Sequence, residues 1–354
     1  MITDIGVKLN LDYQAGRQEH QVYEELRQQI AARWPDDHNL IVSLTWFGPQ
    51  FTNGAYEQLM SLIDSGVRVD RLFWFCLIDP LTVLPSWLDR IEQQLQPTET
   101  YRVGVAFPGP HTFHMHSIFL SDEMPQYAEE DLRMTDPEYL FLAYNRKPKP
   151  HRIRLVEKIL EAELDRYGIV TIGKNDANYN VSEGLVTDKY IKLDGDDPEL
   201  YTNNGAFVLF TQFGRVPYDC ATLGRLDIWQ RHFLNVVSET EYRPWDTVFP
   251  TEKILKPIIG LRPFVINGQT TEYQWLRDQG FKTFNQYWPN IELEQVTETQ
   301  VQDSIVAVLK YLAAQPKHEI VSMYQDMLPA LEHNRARWFE FAREQRIKVG
   351  GMFR

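Results

Sequence analysis

The strongest constraint on this chain is a repeated alternation of short apolar runs with amphipathic stretches. Leu40–Thr45, Leu72–Ile78 and Tyr101–Phe107 are apolar runs of strand length. Residues 17–33, 54–64 and 84–95 precede or separate them with helical spacing; in the second, Tyr56, Leu59, Met60 and Ile63 share a face. Strand, helix and strand joined by short connections imply parallel sheets with right-handed crossovers. The stretch from His111 to Pro137 breaks the pattern and reads as a domain boundary. The alternation then restarts. Tyr139–Tyr144, Ile169–Ile172, Phe233–Val237 and Pro263–Ile266 read as strands, and residues 206–210 as a further one. Arg152–Tyr167 reads as a helix closed by Gly168, Thr251–Ile259 as a short helix, and Thr271–Gln279 as a helix stopped by Gly280. Residues 173–205 read as a long loop, and residues 298–314 and 318–347 as long amphipathic helices.

The expected fold is α/β, with two Rossmann-like domains facing each other across a cleft. The first spans residues 1–137 and the second 138–315. Helices in 316–354 follow, the last crossing back to the first domain. A length of 354 residues suits two domains. No apolar run approaches the roughly 18 residues a membrane span needs. The N-terminus, MITDIGVKLNLDYQ, lacks a basic region leading into an apolar one. Cys76 and Cys220 are too far apart for a disulfide framework or a clustered zinc site, so a cytoplasmic protein is expected. The net charge, 36 − 49 = −13, opposes nucleic acid and anionic membranes at long range. Any local gathering of Lys and Arg therefore carries information.

Ligands of such sheets sit outside the carboxyl ends of the strands. After Tyr139–Tyr144, five of the nine residues from 146 to 154 are Lys or Arg, Arg146 and Arg152 among them. The prolines hold this loop extended and place Arg152 in the first turn of the next helix, where a guanidinium suits a phosphate. The alternative is a solvated basic loop. Lys174 follows the next strand, and Ser238 and Glu239 follow Phe233–Val237. Thr251 is an N-cap, with Glu252 and Lys253 in the first turn. A lysine there opposes the helix dipole unless an anion lies between them. Lys256 is accounted for as the i+4 partner of Glu252.

The block from His232 to Phe284 resembles the donor-binding domain of nucleotide-sugar glycosyltransferases of the fucosyltransferase-like and exostosin-like groups, which have the two-domain GT-B fold. The residues that carry the resemblance are Ser238-Glu239, Thr251-Glu252-Lys253 and Pro263-Phe264-Val265-Ile266-Asn267-Gly268. The basic stretch ending in Pro150-His151-Arg152 resembles the family's segment with a diphosphate-binding arginine. The likeness covers roughly residues 139–285 and departs from the pattern at Thr240, where the fucosyltransferases have Asn. It implies transfer of a sugar from a nucleotide-diphosphate donor to a hydroxyl-bearing acceptor such as a glycan, with inversion and without a cofactor. Arg146, Arg152, Lys174, Ser238, Thr251, Glu252 and Lys253 are then the donor-binding residues, and Glu239 stands at the sugar. The expected base is Asp79, which ends the Leu72–Ile78 strand; the alternative is a turn residue ahead of Pro80.

Two other clusters suggest different chemistry. His111, His114 and His116 crowd one segment, but no carboxylate pattern completes a metal site. Asp194-Gly195-Asp196 resembles the cation-binding motif of the other glycosyltransferase architecture, although Lys189–Leu193 ahead of it alternates in polarity and reads as loop. The expectation is therefore no metal. A noncatalytic nucleotide-sugar or carbohydrate binder, and a viral-type enzyme acting on modified DNA bases, are the alternatives. Net charge weighs against the last. No P-loop, Gly-x-Ser-x-Gly elbow or Cys-x-x-Cys occurs.

Overall fold

In the computed structural model the chain is an α/β protein whose described residues form two parallel sheets, one of four strands and one of five. The structure describes residues 2–5, 14–43, 53–76, 85–104, 110–123, 127–145, 149–173, 191–193, 223, 226–240, 242, 248, 250–297 and 299–354. The chain forms two compact units, Met1–Asp122 with Ala342–Arg354, and Glu123–Phe341. Among the described residues no helix is long and apolar enough to cross a membrane.

In the first unit, β1 (Ile2–Ile5), β2 (Asn39–Ser43), β3 (Arg71–Cys76) and β4 (Glu99–Gly104) lie side by side in chain order, all parallel. Helices α1 (Gln14–Arg33), α2 (Asn53–Asp64) and α3 (Pro85–Leu95) alternate with them. Strands β2 and β3 are buried almost throughout, as expected of parallel strands covered on both faces. Alternation along β3 separates those faces. Phe75 meets Tyr23 of α1 edge-on at 5.7 Å, whereas Trp74 Nε1 donates to Glu92 of α3 at 2.9 Å. The two helices therefore cover opposite faces. Strands laid down in one direction with crossovers of one hand would place both on the same face, so one crossover departs from the expected right-handed rule. Among the described strands this sheet also shows no reversal of order.

Short helices α4 (Met115–Glu123) and α5 (Glu129–Leu132) lead into the second unit. Its strands are β5 (Tyr139–Ala143), β6 (Gly168–Gly173), β7 (Ile191–Leu193), β8 (His232–Ser238) and β9 (Phe264–Asn267). They are ordered β7-β6-β5-β8-β9 and all parallel. Counted within the unit this is 3-2-1-4-5, the Rossmann order, which reverses between β5 and β8. Helix α6 (Pro150–Glu161) follows β5; α7 (Leu226–Arg231) precedes β8, and α8 (Glu252–Ile259) follows it. Beyond β9 come α9 (Thr271–Asp278), α10 (Val301–Ala313) and α11 (Lys317–Gly351). Every residue of β8 and β9 is buried.

Two local expectations change here. The helix expected to run to Tyr167 ends at Glu161, and a 3-10 turn, Asp165–Tyr167, leads into β6. Gly168 is thus no C-cap; it opens β6 at an extended φ of −148°. Its missing side chain serves packing, because a Cβ there would come within 2.6 Å of the Phe141 ring. The second change is β7, which lies within the expected 173–205 loop. Ile191–Leu193 is a short edge strand beside β6.

The chain's last residues complete the first unit's core. Phe353 meets Phe73 at 5.5 Å, Tyr101 at 5.7 Å and Trp34 at 6.0 Å, each edge-on, and Phe73 and Tyr101 stack at 4.9 Å. Gln29 clamps the same segment, donating to Val349 O at 2.9 Å and accepting from Phe353 N at 2.9 Å. Phe353 is 2% exposed. Phe353→Ala should cost about 3–5 kcal/mol of stability, the usual loss for a buried aromatic ring. Denaturant unfolding followed by a probe in the first unit checks this; a change under about 1 kcal/mol would contradict the packing role.

Candidate functional site

The reversal between β5 and β8 leaves the two strand ends diverging, and the described side chains beyond them converge on one residue, Glu239. Pro150 occupies N1 of α6, where its missing N–H is no loss, and His151 and Arg152 complete the first turn. Both are buried. Arg152 Nη2 donates to the Glu239 carbonyl at 2.9 Å, and His151 Nε2 lies 3.0 Å from the same oxygen. A carbonyl can only accept, so the imidazole carries its proton on Nε2. The ring stacks on Tyr242 at 5.0 Å with an interplanar angle of 11°. Lys149 Nζ donates to Thr240 O at 2.8 Å.

The Glu239 side chain is equally engaged. It is fully buried and accepts from Thr251 N at 3.1 Å, from Thr240 N at 3.2 Å and, closely, from Thr251 Oγ1. Thr251 is the N-cap of α8 as expected, its Oγ1 accepting from Lys253 N at 3.4 Å. Lys253 Nζ donates to Glu252 Oε1 at 2.6 Å and to Thr240 Oγ1 and Thr251 Oγ1 at 3.0 Å each. Burial opposes the Lys253 charge, but Glu252 and Glu239 outweigh it, and its pKa lies above the ordinary lysine value. Burial pushes the Glu239 carboxyl above its ordinary value, with Lys253 pulling the other way. The cation that opposes the helix dipole is therefore compensated by the protein's own carboxylates. Glu252 pairs with the adjacent Lys253 rather than with Lys256, because both side chains turn toward the cap.

A second layer lies at the end of β9. Asn267 Nδ2 donates to Ser238 Oγ at 3.1 Å, and Asn267 Oδ1 accepts from Gln302 Nε2 at 3.1 Å. Gln302 Nε2 also reaches Tyr242 OH at 2.6 Å. Glu272 Oε1 accepts from Gln269 N at 3.2 Å, while Oε2 is buried without a hydrogen-bond partner. Burial, reinforced by Glu239, raises the Glu272 pKa well above the carboxylate range. A Cβ at Gly268 would lie 2.9 Å from Glu272 Oε1 and 3.0 Å from Glu239 Cβ, so glycine lets both acidic side chains flank this turn.

Of the expected site residues, the structure brings Arg152, Ser238, Glu239, Thr251, Glu252 and Lys253 together. Asp79, Arg146 and Lys174 lie outside the described residues, as do Asp194 and Asp196. Ile191–Leu193, expected as loop, forms strand β7 directly ahead of Asp194. Arg152, expected against a phosphate, is 3% exposed and spans from α6 to the backbone of Glu239. His111 and His114 are engaged separately, and the His116 side chain lies outside what is described. His114 Nδ1 accepts from Ser117 N at 3.1 Å, capping α4, and His111 lies against Tyr101 and Phe353. Among the described residues no group of three His, Cys, Asp or Glu can hold a metal. His151 and Asn267 stood in the segments that carry the resemblance but had no role assigned; Glu272 and Gln302 were not anticipated from sequence. Glu272 alone had a local signal, as a first-turn glutamate three residues after Gln269 that reaches back to its N–H. No protein-family model matches the chain, and no curated protein matches it.

Two buried histidines make stability pH-dependent. Burial, aided by Arg152 and Arg262 respectively, lowers His151 and His232 to about 3. The unfolded chain takes up a proton near pH 6.5 that the folded chain refuses, so stability is full above that pH and lost as pH falls toward 3. Each histidine contributes a slope of about 1.4 kcal/mol per pH unit. His151→Gln, which can still donate to the Glu239 carbonyl, should remove one histidine's share of the slope between pH 6 and 4. An unchanged slope in urea unfolding would contradict a neutral, buried His151. Glu272 acts in the opposite direction. Its raised pKa means stability is lost as pH climbs past the unfolded carboxylate pKa, so Glu272→Gln should gain on the wild type toward alkaline pH.

Proposed function

We propose that the chain is a glycosyltransferase of GT-B type whose second unit binds a nucleotide-diphosphate sugar and whose first unit binds the hydroxyl-bearing acceptor. The observation that carries this reading is the Rossmann strand order with Lys149, Arg152, Glu252 and Lys253 gathered where it reverses. The resemblance of residues 139–285 to glycosyltransferase donor domains supports the same reading.

In this proposal the diphosphate lies at the N-terminus of α8. A phosphate oxygen replaces Glu252 at the Lys253 ammonium, and the released carboxylate accepts from a ribose or sugar hydroxyl. Lys253, with Arg146 and Lys174, meets the charge that grows on the diphosphate as the glycosidic bond breaks. The polar Thr240 and Thr251 hydroxyls hold Lys253 in place before the donor arrives. Glu239 and Arg152 are assigned to positioning: the former anchors the cap of α8, the latter ties α6 to β8. The base that deprotonates the acceptor is assigned to Asp79. Slow hydrolysis of the nucleotide sugar without acceptor separates this reading from that of a noncatalytic binder.

Lys253→Ala should lower affinity for a nucleoside diphosphate by roughly 1.5–3 kcal/mol, the value of a hydrogen bond to a charged group. It should also cost stability of about 1–3 kcal/mol, because Glu252 and the buried Glu239 lose their cation. Lys256→Ala, one turn on, should be nearly silent in both. Calorimetric titration with thermal melts of the two variants checks this; equal, small effects on affinity would sink the donor-site assignment.

Turnover should also survive excess EDTA, since fixed cations supply the charge that a metal would otherwise bring. Loss of activity on chelation, restored by manganese or magnesium, would move the diphosphate-binding role to Asp194 and Asp196.

A further inference from the structure

At the amino end of β9, away from the strand ends discussed above, stands a buried cation that the proposed function does not use. Arg262 is completely buried, and among the described residues no carboxylate ion-pairs with it. Its Nη1 is satisfied: it donates to Leu261 O at 2.7 Å, to Gly260 O at 3.3 Å and to Tyr324 OH at 3.2 Å. The two carbonyls end α8, where the helix dipole favours a positive charge, and the Tyr324 ring lies 5.4 Å from the guanidinium carbon. Tyr324 OH is itself fully used, donating to Leu261 O and accepting from Met134 N and Arg262.

The other edge of the guanidinium is different. Nε and Nη2 are both buried and neither has a hydrogen-bond partner. These two nitrogens point their N–H groups side by side, forming the fork that grips two oxygens of an anion, or one spherical ion between them. Nearby His232 is held neutral and supplies no negative charge. Burial draws the Arg262 pKa down only to about 10, so the group remains a cation at neutral pH. A buried charge with two unmade hydrogen bonds on one edge is a costly arrangement, and the helix end offsets only part of it.

From this geometry we infer that the Nε/Nη2 edge of Arg262 is a buried binding site for one small anion, a halide or a compact oxyanion. The site does not depend on the glycosyltransferase reading and stabilises the second unit whether or not that unit binds a nucleotide.

The test is thermal unfolding of the whole chain at fixed ionic strength, exchanging sodium gluconate for chloride or for phosphate. The wild-type Tm should climb by about 2 °C or more with each tenfold rise in the bound anion above its Kd. Arg262→Met should be flat. A chloride response alone assigns a halide site, and a phosphate response an oxyanion site. Equal responses in wild type and Arg262→Met, or none in the wild type, would overturn the inference and leave water as the occupant. If Arg262→Met does not fold, crystals of the wild type grown with bromide and, separately, with selenate decide the matter. Anomalous density from either within hydrogen-bond distance of both Nε and Nη2 supports the site, and its absence with both overturns it.

Discussion

The burial of Glu239 is the constraint on which the second unit's candidate site depends. A carboxyl group at the end of a fully buried strand must find donors, since leaving it without them costs several kcal/mol. Those donors are the N–H of Thr240 and the N–H and hydroxyl of Thr251. Thr251 is also the cap of α8, so satisfying the carboxyl fixes where that helix begins. The backbone carbonyl of the same residue accepts hydrogen bonds from His151 and Arg152, which fixes the first turn of α6. One residue thus binds together the N-termini of the two helices that flank the switch point. The carbonyl and the carboxylate of Glu239 are both held by protein donors.

Charge in this region is arranged rather than accumulated. Lys149, Arg152 and Lys253 stand among Glu239, Glu252 and Glu272, and burial raises the pKa of Glu239 and Glu272. In the proposed function an anion enters less by net charge than by exchange, with one carboxylate giving way to another negative group at Lys253. The overall charge of −13 is compatible with this, because the interaction is confined to contact distance.

The first unit is held by a different device. Its four strands follow chain order, and the aromatic layer over β3 and β4 is completed by Phe353, which lies far along the chain from Phe73. The Gln29 side chain clamps that segment from both sides of the residue. Core packing here depends on a contact that spans nearly the whole sequence.

What the sequence alone determined is what arises locally. Apolar period separated strands from helices, Thr251 announced the start of α8, and the position of residues after strand ends selected Glu239, Thr251, Glu252 and Lys253 as neighbours. Features that depend on distant partners were settled only by the tertiary structure. The 3-2-1-4-5 order, the edge strand β7 and the role of Gly168 beneath Phe141 follow from which strands lie beside which. So does the fate of Arg152, whose partner Glu239 is 87 positions away. Lys253 seemed to need a foreign anion because a helix dipole opposes it; folding turned the adjacent Glu252 onto it and added Glu239 from the preceding strand. Periodicity and capping act over one or two turns and can be read along the chain. Compensation of a buried charge acts through space, and the distances that decide it exist only once the strands have been ordered.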